Sequence, residues 1–261
     1  MNMLPDWLVP QWPAPAHVRA LCTTRSGGMS APPYNSLNLG THVGDEAAHV
    51  LHNRAVLQGA LGVRPIFLNQ VHGYQMLVLE ADTPDGLEAD GCWTTGRDVA
   101  CTVMVADCLP ILLCDRAGTQ VAAVHAGWRG LVGEAGVGVV EQVYKHFSAL
   151  APVEPAQAAP EIIAWLGPCI GPQTFEVGPE VRAAFVAAAP EAALAFVAQP
   201  GGKWLANLPM LARQRLQALG ISVVYGNDGS PDWCTVSNPS RFFSHRRDRV
   251  SGRFAACIWL A

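Results

Sequence analysis

The sequence predicts a mixed α+β fold, an α/β body in which β-sheets dominate without a regular βαβ winding. Three observations carry that expectation. Apolar runs of strand length outnumber helical patterns along the chain. Strand-rich stretches follow one another with only a few helices between them, whereas a doubly wound fold alternates the two. The apolar, β-branched runs on either side of the polar turn Asp115-Arg116-Ala117-Gly118 have the pattern of a β-hairpin.

The elements follow in order. A strand is expected at Val18–Thr23, then a Gly-, Ser- and Asn-rich loop, then a helix over Asp45–Leu61 with an acidic start and apolar Val50, Leu51, Leu57 and Leu61. Strands follow at Ile66–Val71, Met76–Glu80, Ala100–Val105, Ile111–Cys114 and Val121–His125, and a helix over Leu131–Leu150. The Ala- and Pro-rich stretch Ala149–Pro160 reads as a surface loop. Apolar residues resume at once with the strand Ile162–Leu166, so residues 1–261 are read as a single domain with an inserted loop. Helices are expected at Pro179–Ala189 and Leu208–Leu219. The second has Asn207 as N-cap, Pro209 in its first turn and Gly220 just past its end. Strands at Ile221–Val224 and Phe254–Trp259 close the chain.

Half of the 261 residues are hydrophobic, enough for a sizeable core, and the net charge of −4 argues against broad nucleic-acid binding. Lys145 and Lys203 are the only lysines, while Arg241, Arg246, Arg247, Arg249 and Arg253 crowd one segment, a local anion-binding candidate. No apolar run is long enough to suggest a transmembrane helix. The N-terminal residues lack the charged and apolar regions of an export signal. The eight cysteines form no C-x-x-C pair, and a reduced, cytoplasmic protein is the expectation.

With Arg116 and Ala117 as the hairpin's loop residues, Cys108 falls directly opposite His125. Side chains so paired have Cβ atoms about 4.5–5.5 Å apart. A thiolate and an imidazole at that distance can share a metal ion or act as nucleophile and base. Pro110 weakens the register, because it removes a ladder donor close to Cys108. His72, in N-Q-V-H-G, follows the run Ile66-Phe67-Leu68 and is a third ligand candidate. Two histidines and a cysteine fit a catalytic zinc site with an open position. Asp107 is a candidate to orient one ligand, and Cys169 is a candidate fourth ligand. Taken singly, a cysteine is more often a small buried hydrophobe, and a histidine more often a hydrogen-bonded structural residue. A metal site and a metal-free Cys-His pair both stand at this point.

Two loops carry further candidates. T-T-R-S-G-G-M-S-A-P-P-Y-N-S-L-N-L-G-T-H-V-G-D holds Arg25, Asn38, His42 and Asp45. It reads either as a loop closing over a polar substrate or as an ordinary surface loop with Asp45 capping the next helix. In the segment R-F-F-S-H-R-R-D-R-V-S-G-R, residues Arg246, Arg247 and Arg253 are placed either to hold phosphate or to lie in a solvated loop.

Taken together, the motifs T-R-S-G-G-M-S, L-N-L-G-T-H-V-G-D, N-Q-V-H-G, D-G-C-W-T-T, A-D-C-L-P-I-L-L, H-A-G-W-R-G, G-P-C-I-G-P, F-E-V-G, F-F-S-H-R-R-D and S-G-R resemble the YfiH-like family over nearly the whole chain and in the family's order. That family is described both as laccase-domain polyphenol oxidases and as purine nucleoside phosphorylases. The resemblance implies one α/β domain whose sheets pack between helices. It also implies a zinc site of His72, Cys108 and His125, and phosphorolysis of adenosine, inosine and methylthioadenosine, with adenosine deamination beside it. It points to Arg25, Asn38, His42 and Arg246 as contacts for nucleoside and phosphate. Cys92 and Trp93 stand where smaller aliphatics are usual, and His245 where an aromatic is common.

The two descriptions need different metals. A multicopper laccase requires several copper centres with many histidines, often in H-x-H pairs. This chain has eight histidines and no H-x-H. One His₂Cys site suits zinc and Lewis-acid chemistry, with copper polyphenol oxidation as the alternative enzyme and a metal-stabilised binding protein as the non-catalytic one.

Overall fold

The computed structural model describes residues 6–149 and 161–261. The chain runs through β1 (Val18–Cys22), α1 (Ala47–Leu61), β2 (Arg64–Phe67), β3 (Met76–Val78), β4 (Gly91–Thr94), β5 (Val99–Val105), β6 (Leu109–Asp115) and β7 (Val121–Ala126). It continues through α2 (Trp128–Val132), α3 (Val139–Ala149), β8 (Ile162–Leu166), β9 (Glu176–Val177), α4 (Pro179–Ala188), β10 (Phe196–Ala198) and β11 (Trp204–Ala206). It ends with α5 (Leu208–Ala218), β12 (Val223–Gly226), α6 (His245–Asp248) and β13 (Phe254–Leu260).

Two sheets build the body, a four-stranded one ordered β1-β13-β5-β2 and a six-stranded one ordered β12-β8-β6-β7-β4-β3; a small sheet, β10-β11-β9, lies apart. Every residue of β5, β6, β7, β8 and β13 is buried. Strands covered on both faces read as continuous apolar runs instead of alternating ones. Alternate residues nevertheless serve different cores. In β6, Leu112 and Cys114 meet Cys101, Val103, Phe254 and Ile258 between the two sheets. Ile111 and Leu113 point the other way, into a core shared with Val143, Phe147, Leu211 and Leu216 of α3 and α5. On the far side, Leu57 and Leu61 of α1 cover Ala100, Ala255 and Cys257 of the four-stranded sheet. The result is a helix–sheet–sheet–helix stack, a mixed α/β fold as expected. None of the described helices is long and apolar enough to cross a membrane.

The hairpin β6–β7 forms, but with a different register. His125 faces Pro110, not Cys108, and Cys114 faces Val121. The turn is longer than a two-residue loop because the Asp115 carboxylate accepts hydrogen bonds from Thr119 N, Thr119 Oγ1 and Gln120 N, and Gly118 takes a φ of 69°. A slip by an even number of residues keeps each side chain on its face. Cys108 thus becomes a diagonal neighbour of His125 and stays on the same side of the sheet.

The expected helix Leu131–Leu150 is broken in two. Gly133 has a φ of 66°, and a Cβ there would come within 2.0 Å of Val137 O, so the chain must turn out of α2 before α3 begins. The helix α5 has its expected start, with Asn207 accepting from Met210 N at 3.0 Å. The strand β4 and the small sheet were not anticipated, being too short to show a period. Of the expected loop Ala149–Pro160, Ala149 closes α3 and residues 150–160 lie outside those described.

Candidate metal centre and its cavity

Three connections meet at one end of the two-sheet stack. His72 lies in the loop after β2 with a φ of 63°, Cys108 lies between β5 and β6, directly after Asp107 with a φ of 95°, and His125 is near the end of β7. One donor atom from each of His72, Cys108 and His125 lies within 4.8 Å of the others. The two imidazole rings meet edge to face, centroids 4.8 Å apart. The H-A-G-W-R-G motif has a steric reason here. A Cβ at Gly127 would sit 3.1 Å from Cys108 Sγ and 3.2 Å from His72 Cδ2, and one at Gly130 would sit 2.3 Å from Gly73 O. Glycine at both places lets α2 lie against the ligand loops.

Asp90, buried just before β4, ties the centre together. Its carboxylate accepts from Val71 N, His72 N and Gly73 N at 3.2, 2.9 and 2.6 Å and pairs with His125 Nδ1 at 2.8 Å. Its backbone carbonyl accepts from His125 N at 2.7 Å. One side chain therefore sets the turn that carries His72 and the ring orientation of His125. With Nδ1–H directed at a carboxylate, Nε2 is left for the metal. Burial works against the charge on Asp90, but the hydrogen bonds from His125, Gly73 and His72 hold it below the usual carboxylate range. Sequence reasoning missed this residue. The acid that opens D-G-C-W-T-T, immediately before a buried strand, was its signal.

The electrostatics suit a ligand set. Burial alone would push the Cys108 thiol up, but His125 and His72 outweigh it and bring it down to about 6. Burial likewise disfavours charge on His125, yet Cys108 and Asp90 raise it to about 9. Without metal, the half-buried thiolate and the imidazolium stabilise one another. A metal ion held by these residues would replace the proton on the imidazolium and keep the thiolate charged.

The centre forms the floor of a cavity of about 330 Å³. His42 and Arg253 stand on one wall, and Phe175, His245 and Arg246 line it too. The Arg246 guanidinium lies 5.5 Å over the Phe175 ring, and its Nη1 donates to Glu176 O.

Of the expected substrate contacts, His42 and Arg246 line the cavity, while Arg25 and Asn38 do not. Arg25 donates from Nε to Asn35 O, from Nη1 to Pro239 O and from Nη2 to Asn35 Oδ1. All three of its nitrogens brace the loop. Asn38 is fully buried, donating to Asp45 Oδ2 and accepting from the backbone N–H of Arg253. Asp45 is thus a partner of Asn38 and Glu46 N, and Glu46 takes the helix N-cap position. Asp107 orients no ligand. It accepts from Thr235 Oγ1 and Arg246 N, both at 2.6 Å, and so holds the rim to the floor. Cys169 stays outside the ligand cluster and receives a hydrogen bond from Asn227. Cys92 is packed between the sheets and Trp93 stacks on His146, so of the three departures from the family pattern only His245 lines the cavity.

Residues 19–261 match the family described as multi-copper polyphenol oxidoreductase laccase. The chain belongs to that family. Among curated relatives, a purine nucleoside phosphorylase of Pseudomonas aeruginosa is 50% identical over 256 residues, covering 97% of this chain and 98% of the relative. The purine nucleoside phosphorylase YfiH of Escherichia coli is 47% identical over 97% of this chain and 98% of its own. Solved structures share the fold. A Neisseria meningitidis protein superposes with a TM-score of 0.83 at 46% identity over 98% of this chain and 99% of that one. YlmD from Geobacillus stearothermophilus gives 0.86 at 30% identity over 100% and 98%.

The family's description names copper, but the donors decide what this member's centre suits. Two imidazoles and one thiolate converge, with no fourth His, Cys, Asp or Glu donor in the cluster. Among the described residues this is the only such cluster, and the eight histidines all lie within them. Three ligands facing a cavity fit a catalytic zinc site.

Proposed function

We propose that this chain is a zinc-dependent purine nucleoside phosphorylase. It acts on adenosine, inosine and methylthioadenosine, and it also deaminates adenosine. The observation that carries this reading is the convergence of His72, Cys108 and His125 on the floor of one cavity. The names of the relatives point the same way. The cavity volume falls within the roughly 300–1,000 Å³ of small-molecule sites. A single His-Cys-His centre supports zinc over the several coppers of a laccase, because a four-electron oxidation needs more than one redox metal.

When bound, zinc supplies Lewis acidity and a polarised water. The rest falls to the chain's own side chains. Asp90 holds both histidines in place. Phe175, with Arg246 above it, offers an apolar face beside a cation, which suits a planar purine. Burial and the nearby Arg253, Arg54 and His72 push the His42 imidazole below its usual pKa, and it lines the cavity near Arg253. In phosphorolysis a phosphate oxygen bonds to the anomeric carbon, and the bond from that carbon to the purine nitrogen breaks. The electron pair leaves with the purine, whose nitrogen takes the proton that the hydrogen phosphate gives up, and the sugar 1-phosphate is the second product, ribose 1-phosphate from adenosine and inosine. A thiol ligand must stay reduced, which supports a cytoplasmic location.

The test is chromatography of products from adenosine with zinc-loaded, copper-free protein. Adenine that requires phosphate, together with inosine formed without it, is the expected result. No adenine and no inosine, or turnover that follows copper content, overturns the reading.

A further inference from the structure

Arg253 lines the cavity with a head of which the chain's own acceptors use only Nη1. Its stem is fastened from three sides. Its backbone N–H donates to Asn38 Oδ1 at 2.8 Å, and its backbone carbonyl accepts from Leu39 N at 3.0 Å. Its Cγ lies where a Cβ at Gly40 would approach within 2.9 Å, so only glycine there admits the side chain so closely. At the head, Nη1 donates to Ser251 O and Gly252 O. No hydrogen bond among the described residues uses Nε or Nη2, and none of the ion pairs found there includes Arg253. The side chain is half-buried and lines the cavity, as does His42. The negative groups that it feels are Cys108 and Asp107 of the site itself.

Half-buried at the cavity wall, with Nε and Nη2 free of protein acceptors, the guanidinium is open to an anion that enters the cavity. Its planar fork matches an oxyanion bidentately. The other arginines nearby are placed differently. Arg25 is used up by Asn35 and Pro239, and Arg247 by Thr235, Phe242 and Asp248. Arg246, like Arg253, spends only Nη1, on Glu176 O and Thr174 O, and is set apart from Arg253 by its place over the Phe175 ring.

We propose that Arg253, with His42 beside it, is the oxyanion subsite of the cavity and takes inorganic phosphate, while the Phe175–Arg246 wall takes the nucleoside. The subsite itself stands on the geometry of Arg253. Its use in phosphorolysis rests on the phosphorylase reading.

Calorimetric titration of inorganic phosphate into zinc-loaded protein tests it, with zinc content and thermal melting as controls. Arg253→Met keeps the apolar stem and removes the fork, and should weaken phosphate binding by about tenfold or more, the worth of one to two charge-assisted hydrogen bonds. Arg253→Lys should recover only part of it, because a point charge does not replace the fork. Arg246→Met should raise KM for adenosine more than it weakens phosphate. Unchanged phosphate binding in folded Arg253→Met and Arg253→Lys, or none in the wild-type protein, overturns the subsite. The two readings fail separately. Phosphate bound through Arg253 without adenine formation refutes the phosphorylase and leaves the subsite. Adenine formation with an unchanged phosphate KM in Arg253→Lys refutes the subsite and leaves the phosphorylase.

Discussion

The floor of the cavity and its rim use polar side chains in opposite ways. On the floor, His72, Cys108 and His125 point their donor atoms at a common centre, and Asp90 takes up the remaining polar groups of the loop and the ring. On the rim, arginines of equal charge have unequal freedom. Arg25 and Arg247 are struts that hold loop carbonyls, while Arg253 keeps two nitrogens for the cavity. Residue type therefore identifies a ligand where scaffold and chemistry agree, as at the floor. It fails at the rim, where each guanidinium has many carbonyls to choose from and only the folded chain determines which are in reach.

The largest effect that could break this contrast lies on the floor. Cys108→Ala with His125→Ala should abolish retained zinc, measured by metal analysis after dialysis. About one equivalent kept by the double variant would remove the centre altogether. Asp90→Asn should come next. The isosteric change keeps the volume but weakens the anchor of both histidines. Loss of such a partner costs about 10–100-fold in metal affinity, and competition with a chromophoric chelator would measure it. An affinity within twofold of wild type would make the carboxylate a mere filler. The smallest effect belongs to the rim. Arg25→Ala should cost about 1–3 kcal/mol of stability in urea unfolding through the carbonyls of Asn35 and Pro239 left without their donor, with the phosphate KM unchanged. A raised phosphate KM at unaltered stability would return Arg25 to the substrate contacts and blur the contrast.

Much of the architecture was legible in the chain. The apolar runs that became β5 to β8 and β13 were long enough to exceed any loop, and the caps of α5 were written in Asn207, Pro209 and Gly220. The three candidate ligands were legible because each sits in a short motif, and the glycine of H-A-G-W-R-G at Gly127 has a steric reason in its closeness to Cys108 and His72. The hairpin was found with the wrong register, since the Asp115 carboxylate gathers the N–H groups of Thr119 and Gln120 and lengthens the turn. The ligand pair survived because the slip kept both side chains on one face.

What the sequence determined by itself was the class of fold, the three side chains that converge as candidate metal ligands and the presence of an arginine-rich segment. Those follow from local properties: hydrophobic period, turn chemistry and the kinds of atoms that bind metal. Only the tertiary structure decided that Asp90, not Asp107, anchors the histidines, that Arg25 and Asn38 are spent on the scaffold, and that Arg253 faces the cavity. These are pairings between residues far apart in the chain, Asn38 with Arg253 and Asp107 with Arg246 among them. A polar side chain's role is set by which partners its desolvated atoms find, and that is settled only when distant segments are packed together.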